Sequence, residues 1–258
     1  MPGRMSGRVA LVTGGGGGIG EATGRLFAEE GAAVALLDTD RDAVEQAATT
    51  IAAAVPGARV LPLVGDVTRE GDALEIVDLT VARLGGLHTL INVAGVRVYT
   101  PLAEATAADW ERIIAVNVLG TANACKAVLP RLRTVGRGTI VNVSSVYGVM
   151  GRAGMGQYDT TKAAVLGFTR ALAVEEARHG IRVNAVCPGG TITPYHIRRA
   201  AARGVSEREL RGQRTGDNLL GRWAEPREVA FPILFLASDE SSFVTGATLM
   251  VDAGRSIL

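Results

Sequence analysis

The sequence predicts a single doubly wound α/β domain on a seven-stranded parallel sheet. Three observations carry that expectation. Short β-branched runs alternate with longer helical patterns, as in consecutive βαβ units. The runs lack strict polar–apolar alternation, which suits strands covered on both faces. A run of glycines joins the first strand directly to the first helix, where such sheets place a ligand-binding turn.

The elements follow in order. "RVALVT" (8–13) is the first strand, and "IGEATGRLFAEEG" (19–31) is helical. "AVALLD" (33–38) precedes an alanine-rich helix from about Asp40. "ARVLPLVGD" (58–66) leads to a helix ending near Leu84. "HTLINVAG" (88–95) precedes a long helical region from Asp109 to Leu132. "GTIVNVSS" (138–145) is followed by a helix to about His179. "IRVNAVCPGG" (181–190) and "TLMVDAG" (248–254) complete the sheet. Residues 190–217 are arginine-rich with weak punctuation, and most of them read as a solvated helical excursion. No linker or repeat divides the chain, so residues 1–258 are expected to form one domain.

Composition excludes several classes of function. With 27 basic and 26 acidic residues the net charge is +1, so neither nucleic acid nor an anionic membrane is indicated as a main partner. Cys125 and Cys187 lie in separate apolar segments without metal-ligand spacing, and read as reduced core residues. The first apolar run is too short for a secretory signal, and no run approaches a membrane span. The expected location is the cytoplasm. Hydrophobic residues make up 47% of the chain but aromatics only 4%, so Val, Leu, Ile and Ala must build the core.

The chemistry-bearing residues cluster at the expected strand ends. In "TGGGGGIG" (13–20), Gly14, Gly18, Ile19 and Gly20 fit T-G-x-x-x-G-I-G. Such a turn lets the backbone approach a pyrophosphate, which then sits on the helix N-terminus. Asp38 ends the second strand, where a carboxylate accepts hydrogen bonds from an adenosine ribose. An N-cap role is the alternative, which Asp40 could equally serve. A carboxylate there also repels a 2′-phosphate, and neither Gly17 nor Thr39 supplies a positive charge. The expected cofactor is NAD rather than NADP. In "QYDTTKAAV" (157–165), Tyr158 and Lys162 are four apart on a helix and share a face. An ammonium beside a phenol favours the phenolate, making the tyrosine a usable acid and base.

Taken together, these motifs resemble the short-chain dehydrogenase/reductase family in its single-domain, NAD-preferring branch, a Rossmann fold. The resemblance spans nearly the whole chain. It also rests on "GDV" (65–67), "NVAG" (92–95), Asn117, Ser145, "PGGTIT" (188–193) and "SDESSFVTG" (238–246). It implies a catalytic set of Asn117, Ser145, Tyr158 and Lys162, with Lys162 also reaching the nicotinamide ribose. Asp66 and Val67 would hold the adenine end. Asn92, Ala94 and Gly95 would line the cofactor, and Pro188, Gly189 and Thr193 would contact its nicotinamide side. Residues at about 190–217 would form a lid over the substrate, a secondary alcohol or ketone. A homotetramer is implied, using the Asn117 helix and the helix from Gln157 to His179, whose Ala163, Ala164, Leu166, Phe168, Ala171 and Leu172 occupy more than one face. Two departures stand out: Val93 replaces a second asparagine, and "DAG" (252–254) replaces Asp-Gly-Gly.

Several residues have competing readings. Ser144 and Ser145 point to opposite faces of a strand. Family spacing selects Ser145 to hold the substrate oxygen, leaving Ser144 to satisfy a turn. Asn117 either ties two helices together or, as the resemblance implies, holds a water connecting Lys162 to solvent. Tyr147 has Gly151 four residues on and so no local cation; it is expected to line the substrate pocket or pack in a loop. Tyr195 and His196 are near enough to Thr193 to contact substrate. Arg97 could pair with a substrate anion, although a solvent-facing role is the plainer expectation. Two other functions compete with an NAD-dependent alcohol dehydrogenase. One is a catalytically silent nucleotide-binding regulator; the other is an NADP-dependent 3-oxoacyl reductase, against which Asp38 speaks.

Overall fold

The structure is a computed structural model that describes residues 3–258. Seven parallel strands run β1 (Val9–Thr13), β2 (Ala33–Asp38), β3 (Val60–Val64), β4 (Thr89–Asn92), β5 (Thr139–Val143), β6 (Arg182–Pro188) and β7 (Thr248–Val251). Their spatial order is β3-β2-β1-β4-β5-β6-β7. The chain therefore reverses its direction of travel between β1 and β4, whose ends pair as Thr13↔Asn92. The carboxyl ends of these two strands border the crevice where doubly wound sheets bind ligands.

Helices cover both faces. One layer holds α1 (Gly18–Glu29), α2 (Arg41–Ala54) and α9 (Pro226–Ala237). Leu26, Phe27, Val44, Ile51, Ile233 and Leu234 bury against Val12, Val34, Leu36, Ile91 and Val141 there. The other layer holds α3 (Glu70–Leu84), α5 (Thr121–Val135) and α6 (Gly156–Glu176). Ile76, Val77, Val128, Leu132 and Leu172 bury against Leu11, Ala35, Leu37, Leu90, Ile140 and Val183. Alternate strand residues thus feed two separate cores, which is why the strands read as continuous apolar runs. Pro62 lies in β3, an edge strand, where a missing N–H is tolerated.

Three expectations need correction. First, the region from Asp109 to Leu132 is not one regular helix. It comprises α4 (Ala107–Ile114), a π-helical turn over Ala115–Gly120, and α5. Second, Ala107–Val135 does reach the length and mean hydropathy, 1.4, of a membrane span. Within it Ala124, Cys125, Ala127, Val128 and Leu132 are buried against the sheet, whereas Ile114, Leu119 and Val135 are exposed. Third, α9 lay in a segment assigned to no element. Residues from 190 onward form α7 (Pro194–Ala201), α8 (Glu207–Gly212) and an irregular return. The excursion closes at its base, where Ala224 N–H donates to Gly190 O (2.8 Å) and Ile192 N–H to Ala224 O (2.9 Å).

Candidate active site

The glycine turn lies between β1 and α1 at the crevice. Gly14 (φ +67°) and Gly18 (φ +55°) occupy the left-handed region that glycine enters without strain. A Cβ on Gly20 would stand 2.0 Å from the Gly14 carbonyl oxygen, so α1 approaches its own entry loop too closely for any side chain. A Cβ on Gly14 would stand 2.8 Å from Ala94 N, which brings the loops after β1 and β4 together. Thr13 Oγ1 joins the two loops by accepting from Val93 N–H and Ala94 N–H, each at 3.2 Å. Ile19 packs partly buried against the core beneath α1.

Asp40, not Asp38, takes the N-cap role that the sequence left open between them. Asp40 is the N-cap of α2, accepting from Ala43 N–H at 3.1 Å. Asp38 faces the glycine turn, where its Oδ2 accepts from Gly16 N–H at 2.9 Å. Its Oδ1 accepts from Asp40 N–H at 3.2 Å. Each oxygen keeps lone pairs for a further donor. Arg41, not weighed from sequence, stands one turn away, but its guanidinium pairs along α2 with Glu45 at 3.2 Å.

Asp66 turns onto its own loop, accepting from Thr68 N–H at 2.8 Å. Val67 is buried, and a Cβ on Gly120 would meet its Cγ2 at 2.6 Å. Asn92 is also buried, and its Nδ2 donates to Asn142 Oδ1 (2.9 Å) and Cys125 Sγ (3.3 Å). Its Nδ2 therefore braces β4 against β5 and α5, while its buried Oδ1 has no hydrogen-bond partner among the described residues. Burial pushes the Cys125 thiol up to about 12. Gly189 packs on Asp252, whose carboxylate holds Gly254 N–H and Ser256 N–H. In the "DAG" stretch, Ala253 adopts φ +53°, the one non-glycine residue at positive φ among those described. A glycine would take that conformation at lower cost.

Tyr158 and Lys162 are both buried, 7% and 4% exposed, on one face of α6. Lys162 Nζ lies 5.8 Å from the Tyr158 ring centroid and donates to Val143 O at 2.9 Å. Burial pulls the Lys162 pKa down, and the neighbouring Tyr158 opposes that shift. The net direction is downward, so burial outweighs the pull of Tyr158 toward the charged ammonium.

Asn117 sits in the π-helical turn, a local widening that re-aims side chains. Its Oδ1 accepts from Val96 N–H (2.8 Å), and its Nδ2 donates to Val96 O (3.0 Å) and Thr161 Oγ1 (3.0 Å). It ties the loop after β4 to α6. A Cβ on Gly95 would stand 3.3 Å from Asn117 Oδ1 and 3.5 Å from Lys162 Nζ, so Gly95 keeps the space between them open.

The turn role expected of Ser144 falls to Ser145. Ser144 Oγ donates to Lys162 O at 2.7 Å, anchoring α6 to the end of β5. Ser145 is the turn-capping residue, its Oγ accepting from Tyr147 N–H at 3.2 Å. That bond fixes the Ser145 oxygen and leaves its proton to donate.

Tyr147 also departs from expectation. A cation does reach it: the Arg152 guanidinium lies 3.6 Å over its ring, from five residues on rather than four. Arg97 is not solvent-facing. It is half-buried, with Cζ 5.5 Å from the Tyr158 ring centroid and 5.3 Å from that of Tyr195. Its Nη1 bonds His196 Nε2 at 2.8 Å, and His196 Nδ1 bonds Thr193 Oγ1 at 2.9 Å. A guanidinium only donates, so His196 accepts at Nε2 and carries its proton at Nδ1. Burial, followed by Arg97 and Arg199, holds the His196 pKa down to about 4. The imidazole is neutral at physiological pH and leaves Thr193 its own O–H to donate. Thr193 also packs over the turn, since a Cβ on Gly18 would meet its Cγ2 at 3.0 Å. Tyr195 is 37% exposed, with its ring parallel to that of Tyr99 at 6.4 Å.

The family model described as Enoyl-(Acyl carrier protein) reductase matches residues 14–256. The chain belongs to the short-chain dehydrogenase/reductase family. It is 36% identical over 258 residues to 2-(S)-hydroxypropyl-CoM dehydrogenase 3 of Xanthobacter autotrophicus, covering 100% of both chains. It is 42% identical over 250 residues to cis-4-hydroxycyclohexanecarboxylate dehydrogenase of Sinomonas cyclohexanicum, covering 96% of each. Identity to the 3-oxoacyl-[acyl-carrier-protein] reductase FabG of Thermotoga maritima is 40% over 254 residues, 98% of this chain and 100% of that one. As a member of the family, the protein is an oxidoreductase with a Rossmann fold.

Proposed function

We propose that the protein is an NAD-dependent dehydrogenase of secondary alcohols, with Tyr158 carrying the proton. The observation that carries this reading is the buried Tyr158–Lys162 pair on α6, beside Ser145 and at the crevice formed by the loops after β1 and β4. Two of the relatives above are named for oxidising secondary alcohols. The complete set of Asn117, Ser145, Tyr158 and Lys162 speaks against a catalytically silent regulator.

The crevice fits a nicotinamide dinucleotide. The glycine turn leaves no room for Cβ atoms at Gly14 and Gly20, which suits close approach of a pyrophosphate to the backbone and the α1 N-terminus. Asp38 would accept from the adenosine ribose, and Thr193 would donate on the nicotinamide side. When bound, nicotinamide supplies the acceptor for the hydride leaving the carbinol carbon. The chain's own residues handle the proton. Ser145 donates to the substrate oxygen and orients it. Tyr158 as phenolate takes the hydroxyl proton, giving the ketone and the neutral phenol. Lys162 stabilises the phenolate electrostatically before that transfer. In reduction the same phenol gives its proton back.

Cofactor preference tests the role of Asp38. Its carboxylate favours a free 2′-hydroxyl and repels a 2′-phosphate. Steady-state kinetics on a panel of secondary alcohols, polyols and steroids should give higher kcat/KM with NAD than with NADP. Asp38→Ser should narrow that preference by at least about tenfold, the equivalent of roughly 1.4 kcal/mol. Better turnover with NADP by the unaltered protein would reject the assignment and favour the 3-oxoacyl reductase reading.

A homotetramer through α6 and α5 is part of this proposal. Leu166 and Leu172 are buried against the sheet side, whereas Ala163, Ala164 and Ala171 are exposed on α6. Val174 is 81% exposed and Phe243 is 103% exposed. Light scattering at micromolar concentration should give four chain masses; a monomer would contradict it.

A further inference from the structure

Arg97 has no carboxylate partner among the described residues, although it is half-buried beside the reacting phenol. Its Nη1 is committed to His196 and, at 3.5 Å, to the Tyr99 hydroxyl. Its Nε and Nη2 make no hydrogen bond to the described residues, and these two donors form one edge of the planar guanidinium fork. The Arg152 Cζ also lies near Tyr158, 5.3 Å from the ring centroid. Arg152 spends its Nε on Asp159 at 3.3 Å, and its Nη2 is buried with no partner. Lys162 and Arg199 are further cations nearby, Arg199 lying 4.0 Å over the Tyr99 ring. Among the described residues, Asp159 is the one carboxylate paired with any of these four cations, and Arg152 uses it.

A half-buried guanidinium without a counter-ion bears part of the cost of burying a charge, and its free edge matches a carboxylate in bidentate geometry. The rest of Arg97 is immobilised by His196, Tyr99, Tyr158 and Tyr195, so that edge is held in place rather than sweeping through solvent. We propose that the Nε/Nη2 edge of Arg97 binds a carboxylate on the substrate, so that the protein acts on hydroxy acids whose carbinol is separated from the carboxylate by a short spacer or ring. Arg152, also close to the Tyr158 ring, adds positive potential. This inference rests on the proposed hydride-transfer reading and specifies its substrate class.

The test compares matched pairs with NAD: 4-hydroxycyclohexanecarboxylate against cyclohexanol, and 3-hydroxybutyrate against 2-butanol. The readout is the ratio of kcat/KM for acid over neutral alcohol. We expect the ratio to exceed about ten in at least one pair and to fall on the order of 100-fold in Arg97→Met, because a buried charged hydrogen-bonding partner is lost. Arg97→Lys keeps the charge without the fork and should fall in between. Calorimetric titration of the enzyme–NADH complex with cyclohexanecarboxylate gives a second reading that needs no turnover. Binding should be tight relative to cyclohexanol and lost in Arg97→Met, with NADH affinity retained as the control for folding. A ratio near one, or an equal loss on acid and alcohol in Arg97→Met, would overturn the proposal. Should no alcohol be oxidised at all, the hydride-transfer reading fails, while calorimetry still decides whether Arg97 takes a carboxylate.

Discussion

Tyr158→Phe is expected to lower kcat for alcohol oxidation by about 10²–10⁴-fold, the usual worth of a positioned acid–base group. The substitution deletes one oxygen and keeps the ring. That ring is buried and packs with Val98, Ile113 and Met155, so the fold should survive. Affinity for the oxidised cofactor should change little, because the glycine turn and Asp38 stand on other elements. Tyr147→Phe is the comparison. Tyr147 has its own cation in Arg152, so proximity to positive charge does not by itself separate the two tyrosines. Position does: Tyr158 shares a buried helical face with Lys162, whereas Tyr147 lies in the turn capped by Ser145. Turnover by Tyr158→Phe within tenfold of the parent, or collapse in Tyr147→Phe alone, would reverse the assignment.

Gly20→Ala should abolish measurable cofactor binding and destabilise the protein. The added methyl would stand 2.0 Å from the Gly14 oxygen and 2.8 Å from its carbon. Both obstacles are backbone, so either the turn or the start of α1 must move, and these are the parts that would cradle the pyrophosphate. Overpacking of this kind costs about 1–3 kcal/mol. At this chain length that corresponds to roughly 2–4 °C of Tm per kcal/mol. Gly71→Ala supplies the contrast. It lies in the first turn of α3 with nothing within 4 Å of its added methyl. That substitution should be neutral or stabilising by about 0.4–1 kcal/mol. Scanning calorimetry and NADH fluorescence titration read both effects, and a Gly20→Ala protein indistinguishable from Gly71→Ala would refute the close-approach argument.

The sheet was legible because its strands are short apolar runs bounded by turn residues, and all seven fall where expected. Helix α9 escaped because "PREVAFPILFLA" is apolar on nearly every side and carries Pro226 and Pro232. Its face is set by packing between α1 and the sheet, which no local period reveals. The π-helical turn escaped for a related reason. One extra backbone residue per turn leaves no mark in an apolar stretch, and only Asn117, a poor interior helix residue, hinted at it. At the site, the Tyr158–Lys162 pair was readable because both members lie on one helix. The surroundings of Arg97 were not, because His196 comes from an excursion 99 residues further along the chain. The Arg152–Tyr147 contact was missed because it arises across a turn, where helical spacing does not apply. Choosing between Ser144 and Ser145 by family spacing left their partners unseen: that of Ser144 depends on how α6 docks on β5, and that of Ser145 on the local turn to Tyr147.

The most direct test of the central claim is the pH dependence of kcat for alcohol oxidation at saturating alcohol and NAD, in the parent protein and in Lys162→Met. In the proposed mechanism oxidation draws on Tyr158 as phenolate, so the rate should rise with pH and then level off. His196 is neutral above about 4 and contributes no inflection in the range where the rise is read. Removing the ammonium withdraws the charge that favours the phenolate, so the inflection of Lys162→Met should lie at clearly higher pH. If the two inflections coincide, Lys162 does not tune Tyr158, and the account of the site is wrong.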